Sequence, residues 1–241
     1  MTLLVPPRRF DPEWIDRKDN DPADLEVVFR DIAIVNRRLG GAKAVLRALD
    51  PFLDQTPPDR DLEILDVGVG GGDIPAAIVD HGRGRGRRVS VVAIDLDPKT
   101  AGIAARAAFP FEEIRVLRAD AFALPFRDRS FDLVIASMFL HHFAHGECVR
   151  LLASFRHLAR RAVLVNDLRR HRLAWGFIAL TARLSLRHRM FVHDAPLSVL
   201  RGFTDGELLA AAYEAGGSSA RLNRRWPFRL LLTLPGAGAG A

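Results

Sequence analysis

The residues best suited to chemistry are acids at the ends of apolar runs. Asp66 follows Ile64-Leu65, and Asp73 lies beyond Gly68, Gly70, Gly71 and Gly72, so two carboxylates bracket a glycine turn. Lacking Cβ atoms, Gly68, Gly70 and Gly72 can take positive φ and let a ligand lie against the main chain. A dinucleotide loop would need a third small residue where Asp73 or Pro75 stands, and an acid at a helix mouth repels pyrophosphate. A cationic ligand without phosphate suits the turn better. Asp95 follows Val91-Val92-Ala93-Ile94, where a carboxylate can accept both hydroxyls of a ribose. Asp120 follows the run Ile114 to Ala119, and its acceptor oxygens suit an exocyclic amine such as that of adenine.

These acids must be held by strands. Apolar runs at Ile64–Val67, Val89–Ile94, Ile114–Leu117, Phe131–Ala136 and Ala162–Val165 alternate with helical stretches, among them Ile74–Val79 and Pro98–Ala108. That alternation predicts a doubly wound α/β sheet, mostly parallel, whose ligands sit at the carboxyl ends of the strands. Asp97-Pro98 reads as the cap and first residue of a helix. Ahead of the glycine turn, residues 1–20 read as an arm without period. A helix follows, capped by Asp21 or Asp24 and running to about Leu39, then a second from Ala42 to Leu53. Near the far end, Thr204-Asp205-Gly206-Glu207 has capping-box spacing, and Ala220–Arg224 with Phe228–Leu234 read as a closing pair of strands.

The string from Ile64 to Asp73 resembles motif I of the class I S-adenosylmethionine-dependent methyltransferases. Arg118-Ala119-Asp120-Ala121-Phe122-Ala123-Leu124-Pro125-Phe126, with Ser130-Phe131-Asp132-Leu133-Val134 after it, resembles a run found in the ubiquinone and menaquinone biosynthesis (type 11) group. Ile135-Ala136-Ser137-Met138-Phe139-Leu140-His141-His142-Phe143 is similar to that group's motif IV. The resemblance implies a seven-stranded Rossmann-like sheet with S-adenosyl-L-methionine as cofactor. It implies that Asp66, Gly68, Gly70 and Gly72 hold the methionine moiety, Asp95 the ribose, and Asp120 and the Ala121 amide the adenine. Leu96 would flank the ring, and Ser137 and Met138 would floor the space between cofactor and acceptor. It further implies that residues 1–60 cover the cofactor site of a domain spanning 61–241, with a helical lid at about 168–203.

Charge and composition bound the partners. The net charge is +6, with nearly all basic residues arginine and lysine only at Lys18, Lys43 and Lys99. The one dense run, His81 to Arg88, reads as a solvated loop in preference to an RNA contact. No apolar run reaches the ~20 residues of a membrane span and no signal peptide is read at Met1–Pro6, so a cytoplasmic protein is expected. Cys148 is the lone cysteine, and no metal-ligand set is read from the sequence.

The acceptor is less legible. Motif IV lacks the Asn/Asp-Pro-Pro-aromatic string of base methylases and the Pro-Cys nucleophile of cytosine enzymes, which favours a small molecule over nucleic acid. Leu173–Ala182 is apolar nearly all round and is expected to be buried on both sides, against the sheet and against an apolar acceptor, a core neighbour or a second copy in a homodimer. Arg169, Arg170, Arg172, Arg183, Arg187 and Arg189 could steer an anionic acceptor, an acidic carrier protein or an anionic membrane surface. Methyl transfer from a sulfonium needs no protein nucleophile, since positioning alone can supply up to ~7–11 kcal/mol. A phenol, with pKa ~10, gains ~10²–10⁴-fold from a general base. His142 and His193 are the candidates, with packing as the alternative for each. The expected activity is O-methylation of an apolar or aromatic small molecule of secondary metabolism. C-methylation of a quinone-type precursor is the rival, and a non-catalytic cofactor- or RNA-binding accessory protein is the alternative from another class.

Overall fold

The computed structural model describes residues 5–184 and 188–238. Its sheet has seven strands: β1 (Leu62–Val67), β2 (Val89–Asp95), β3 (Ile114–Arg118), β4 (Phe131–Ser137), β5 (Ala159–Leu168), β6 (Arg221–Arg225) and β7 (Arg229–Pro235). Their order is β3-β2-β1-β4-β5-β7-β6, parallel from β3 to β5, with β7 antiparallel to both β5 and β6. The reversal from β1 outward in both directions is the switch point at which such sheets leave a crevice.

Eight α-helices are described, α1 (Pro22–Arg38), α2 (Gly41–Asp54), α3 (Asp73–Gly84), α4 (Pro98–Ala108), α5 (His145–Leu158), α6 (Arg172–Leu184), α7 (Arg189–Arg201) and α8 (Asp205–Glu214), with short 3-10 helices at Trp14–Asp16 and Leu140–His142. One face of the sheet packs on Val45 and Leu49 of α2, Ile74 and Ile78 of α3 and Ala104 of α4. The other packs on Leu151, Leu152 and Phe155 of α5 and Leu208 and Ala211 of α8. Covered on both faces, β4 is buried at every residue, which is why Phe131-Asp132-Leu133-Val134-Ile135-Ala136 reads as an apolar run without alternation. Its one charge, Asp132, is clamped by Arg60 (2.6 and 2.8 Å), Arg160 (3.3 Å) and the Glu63 amide (3.0 Å) at the end of the sheet remote from the crevice.

The local signals for helix starts hold. Asp21 caps α1 through the Ala23 amide (2.8 Å), Asp97 caps α4 through the Thr100 amide (2.8 Å), and Thr204 and Glu207 form the capping box of α8.

Residues 189–201 form α7 despite Pro196, because Met190, Phe191 and Val199 are buried and tertiary packing outweighs the lost hydrogen bond. Two expectations fail. The basic run from His81 is helical to Gly84: His81 bonds Asp50 (2.7 Å), Arg83 forks onto Glu113 (2.8 Å), and Gly82 lies so close to β2 that a Cβ would meet Val89 at 2.6 Å. Arg85 and Arg88 in turn pair with Asp54 and Asp61, so the run is neutralised locally. Second, α6 is not buried on both sides. Leu173, Phe177, Leu180 and Leu184 are 63%, 49%, 59% and 73% exposed, and only Ala174 and Ala182 are buried. Its packing neighbour is α7 and not the sheet, so one helix face is left open.

Candidate active site

The carboxyl ends of β1, β2, β3 and β4 open into a cavity of about 940 Å³. Its floor carries Asp66, Gly68, Gly70, Asp95, Leu96, Asp120, Ala121, Ser137 and Met138, so nine of the expected ligand contacts, drawn from four separate strands, do converge. Gly72 sits just behind, as the left-handed cap of α3 with φ 82° against Ala104 and Ala107. The turn needs its glycines. Gly68 has φ 75°, and a Cβ there would stand 2.3 Å from the Phe139 ring; at Gly71 it would stand 2.7 Å from Phe29 of α1.

The acids differ in state. Burial, then repulsion from Asp73 and Asp95, pushes the Asp66 carboxyl up to about 7, and no hydrogen-bond donor among the described residues opposes this. Asp95 is also raised by burial, although it accepts from the Gly70 amide (3.3 Å) and the Asp97 amide (3.1 Å). Asp120 is exposed and accepts from the Phe122 amide (2.9 Å), which turns the chain so that the buried Ala121 faces the cavity. Leu96 is 59% exposed at the cavity rim. Ser137 accepts from Asn166 (2.9 Å), and Met138 holds a left-handed φ of 56°, a strained conformation for a side-chain-bearing residue.

The roof comes from distant segments. Residues 13–18 of the arm, α1, α6 and α7 all contribute walls. The arm is no loose extension: Arg8 donates to the Arg201 carbonyl (2.8 Å), and Arg201 donates to the carbonyls of Asp11 (2.5 Å) and His142 (2.9 Å). Glu13, which sequence reasoning passed over, is buried and accepts from Ser198 (3.0 Å), with the Arg201 Nε 3.6 Å away. Nothing in the aperiodic arm signals this, since its partners lie in α7.

The two histidines singled out by sequence part company. His142 lines the cavity, and its Nδ1 is 3.1 Å from Asp16 Oδ2. Desolvation lowers its pKa, the Asp16 contact raises it, and the contact prevails. His193 lies outside the cavity, stacked on Trp14 at 4.0 Å and paired with Asp194 at 2.7 Å, a contact that turns it from the reacting space. Its place on the candidate list passes to His141, which lines the cavity and is buried between Asp167 (Nδ1 to Oδ1, 2.8 Å) and Glu13 (Nε2 to Oε1, 3.6 Å). Burial raises the Asp167 carboxyl, and the His141 charge and hydrogen bond bring it below the ordinary value. Glu13, His141 and His142 each bring one ligand atom within 4.8 Å of the others, a polar cluster the sequence reading, with no metal ligands named, does not anticipate.

The arginines expected to steer an acceptor are partly occupied. Arg170 is 5% exposed and is spent on Pro6, Gly202 and Glu207, while Arg169 pairs with Asp205. Arg187 lies outside the described residues. No helix among the described residues is long and apolar enough to cross a membrane.

Residues 64–162 match a family model described as a methyltransferase domain. The demethylmenaquinone methyltransferase of Thermus thermophilus is 36% identical over 113 residues, 44% of this chain and 48% of that protein, so the chain spans about half the length of the curated relative it matches. Among solved structures, human N-acetylserotonin methyltransferase in complex with SAM aligns with a TM-score of 0.62 at 18% identity, over 90% of this chain and 57% of that one. The carbon methyltransferase CurJ aligns with a TM-score of 0.65 at 14% identity, over 92% and 63%. At such identities the structural likenesses speak for the fold, and the matched segment makes residues 64–162 similar to a methyltransferase domain.

Proposed function

We propose that the protein transfers a methyl group from S-adenosyl-L-methionine to a small apolar acceptor, with a phenolic oxygen as the receiving atom. The observation that carries the cofactor reading is the buried Asp66 carboxyl without a donor, beside a glycine turn whose Cβ-free backbone leaves a cradle open. Such a site favours a cation. The assigned contacts are Asp66, Gly68, Gly70 and Gly72 for the methionine moiety, Asp95 for the ribose, Asp120, Ala121 and Leu96 for the adenine, and Ser137 and Met138 beneath the reacting atoms. When bound, the cofactor supplies an activated methyl on sulfonium for in-line displacement.

The chain's own part is positioning, exclusion of water and proton acceptance. Phe29, Ile32 and Val35 of α1 and Phe177, Ile178 and Phe191 of the lid give the cavity apolar walls, suited to an aromatic or alkyl acceptor. His142, with Nδ1 oriented by Asp16, can take the phenolic proton at Nε2. On this reading residues 1–60 act as cover and residues 168–203 as lid over the 61–241 domain. A small molecule is the partner that fits a cavity with apolar walls. An acidic carrier protein and a homodimer contact remain proposals, with the open face of α6 as the surface either would use.

The second reading, C-methylation of a quinone-type precursor, is favoured by the 113-residue similarity to a demethylmenaquinone methyltransferase. Incubation with S-adenosylmethionine and panels of phenols and hydroquinones, followed by mass spectrometry and boron tribromide treatment of the product, separates the two. An aryl methyl ether loses the new methyl to that reagent, and a carbon-bound methyl keeps it. Absence of transfer to any phenol alongside transfer to a hydroquinone carbon would replace the first reading with the second.

A further inference from the structure

The helix α6 has 13 residues and no acid, and its apolar side chains serve two faces. Ala174, Phe177 and Ile178 line the cavity. Leu173, Phe177, Leu180 and Leu184 recur at helical spacing, so the exposed side chains of this helix form one continuous stripe. Arg172 and Arg183 are exposed as well, and a separation of about three turns puts both on one flank of the stripe, near its two ends. Arg189, which opens α7, is exposed, and the single acid of α7, Asp194, is buried. Arg169 and Arg170 are taken by Asp205 and Glu207, whereas Arg172, Arg183 and Arg189 form no ion pair among the described residues.

The stripe calls for an apolar cover, and the arginines beside it call for anions. A second copy of the chain would set the same arginines against each other. A stable protein partner takes about 800 Å² from each side. A helix about 20 Å long and about 10 Å across offers far less. A lipid surface needs no such area, because a helix lying in its plane buries only its apolar face and keeps its arginines at the level of the phosphates.

We propose that α6 is a docking surface for an anionic lipid bilayer, with Leu173, Phe177, Leu180 and Leu184 among the acyl chains and Arg172, Arg183 and Arg189 at the phosphates. The helix is too short to cross the bilayer and lies along it. Phe177 belongs both to the stripe and to the cavity wall, so docking sets that wall against the lipid. Docking needs neither cofactor nor acceptor, and its test is independent of the reaction proposed above.

The test is flotation of the full chain with vesicles of phosphatidylcholine and phosphatidylglycerol in equal parts, beside vesicles of phosphatidylcholine alone. The chain should float with the mixed vesicles at low salt, and binding should weaken severalfold as salt is raised. Leu180→Ser should weaken binding to mixed vesicles about 10-fold, and its combination with Leu173→Ser about 100-fold. Arg172→Gln and Arg183→Gln should each weaken it about 5-fold on mixed vesicles and leave binding to neutral ones unchanged. Phe109→Ser, which removes a 91% exposed ring just past α4, should leave binding at the wild-type value. Absence of flotation with mixed vesicles at low salt overturns the proposal, as does flotation that Leu180→Ser and Arg183→Gln both leave intact. A wild-type dimer that Leu180→Ser converts to monomer in sedimentation velocity means that a second copy covers the stripe, and overturns lipid docking. Binding of a purified acyl carrier protein, lost in Leu180→Ser, without binding of vesicles assigns the face to an acidic protein and overturns it likewise.

Discussion

The two halves of the cavity are built on different principles. The floor comes from strand ends between Asp66 and Met138, each acid or glycine sitting at the close of its own apolar run. The roof comes from Glu13, Asp16, Phe29, Phe177, Phe191 and Arg229, brought together from both extremes of the described chain, and it meets the floor at His142, just past β4. In the floor, local geometry fixes function: a strand that ends at the crevice has no other place to put its last side chain. In the roof, function depends on long-range docking. Ligand recognition and acceptor chemistry should therefore be separable by mutation.

The sharpest separation is expected at His142. His142→Gln should lower kcat on a phenol by ~10²–10⁴-fold, the usual contribution of a general base, while S-adenosylhomocysteine affinity by calorimetry stays at the wild-type value. Equal losses in both would erase the division. Because Asp16 raises the His142 pKa, kcat should climb with pH through a midpoint above the ordinary ~6.5 of histidine, and Asp16→Asn should move that midpoint down. The same raised value means that the pair stabilises the fold below the unfolded-state pKa and that this support fades as pH rises through the folded-state pKa. The arm should thus be held most loosely where the base is most active, which hydrogen exchange at residues 13–16 can follow.

A complementary result is expected on the floor. Asp95→Ala removes the carboxylate assigned to both ribose hydroxyls and should weaken S-adenosylhomocysteine binding by about 100-fold, as expected for two hydrogen bonds to a charged group. Once the cofactor is saturating, KM for the acceptor should stay unchanged.

Asp66 gives a smaller, graded effect. With its carboxyl near 7, S-adenosylmethionine affinity should fall about tenfold per pH unit below that point, as the ion opposite the cation is lost. Neutral-thioether S-adenosylhomocysteine should show a shallower slope in the same titration. Asp66→Asn should flatten the difference and raise the melting temperature of the ligand-free protein, because a carboxyl whose pKa is raised by folding destabilises the fold above its unfolded value.

The smallest effect belongs to α6. Leu180→Ser on its open face should change stability by less than about 0.5 kcal/mol, whereas Phe155→Ala, fully buried against the sheet, should cost about 3–5 kcal/mol in denaturant unfolding. A large loss at Leu180 would mean that the face is covered in solution.

The same division explains what could be read ahead of the structure. The sheet, its switch point and the acids at Asp66, Asp95 and Asp120 were legible because each signal is short-ranged: an apolar run, a terminal carboxylate, a cap such as Asp97. The apolar helix α6 misled, since all-round apolarity says that a helix needs cover and not what supplies it. Glu13 and Arg229 gave no signal at all, because a buried charge is defined by partners elsewhere. The hydrogen bond from Ser198 to Glu13 spans 185 residues, and that from Arg229 to Asn36 spans 193.

Those spans also set an order of events during synthesis. While the chain leaves the ribosome, β1 to β5 can pair among themselves, but the free edge of β5 and the carboxylate of Glu13 stay in water until residues 198–235 emerge. A nascent chain that stops before β7 holds the acidic floor without the buried guanidinium or the strapped arm. Such a chain can form the Gly68 turn but cannot yet enclose a ligand, so the pocket closes only once β7 has been made.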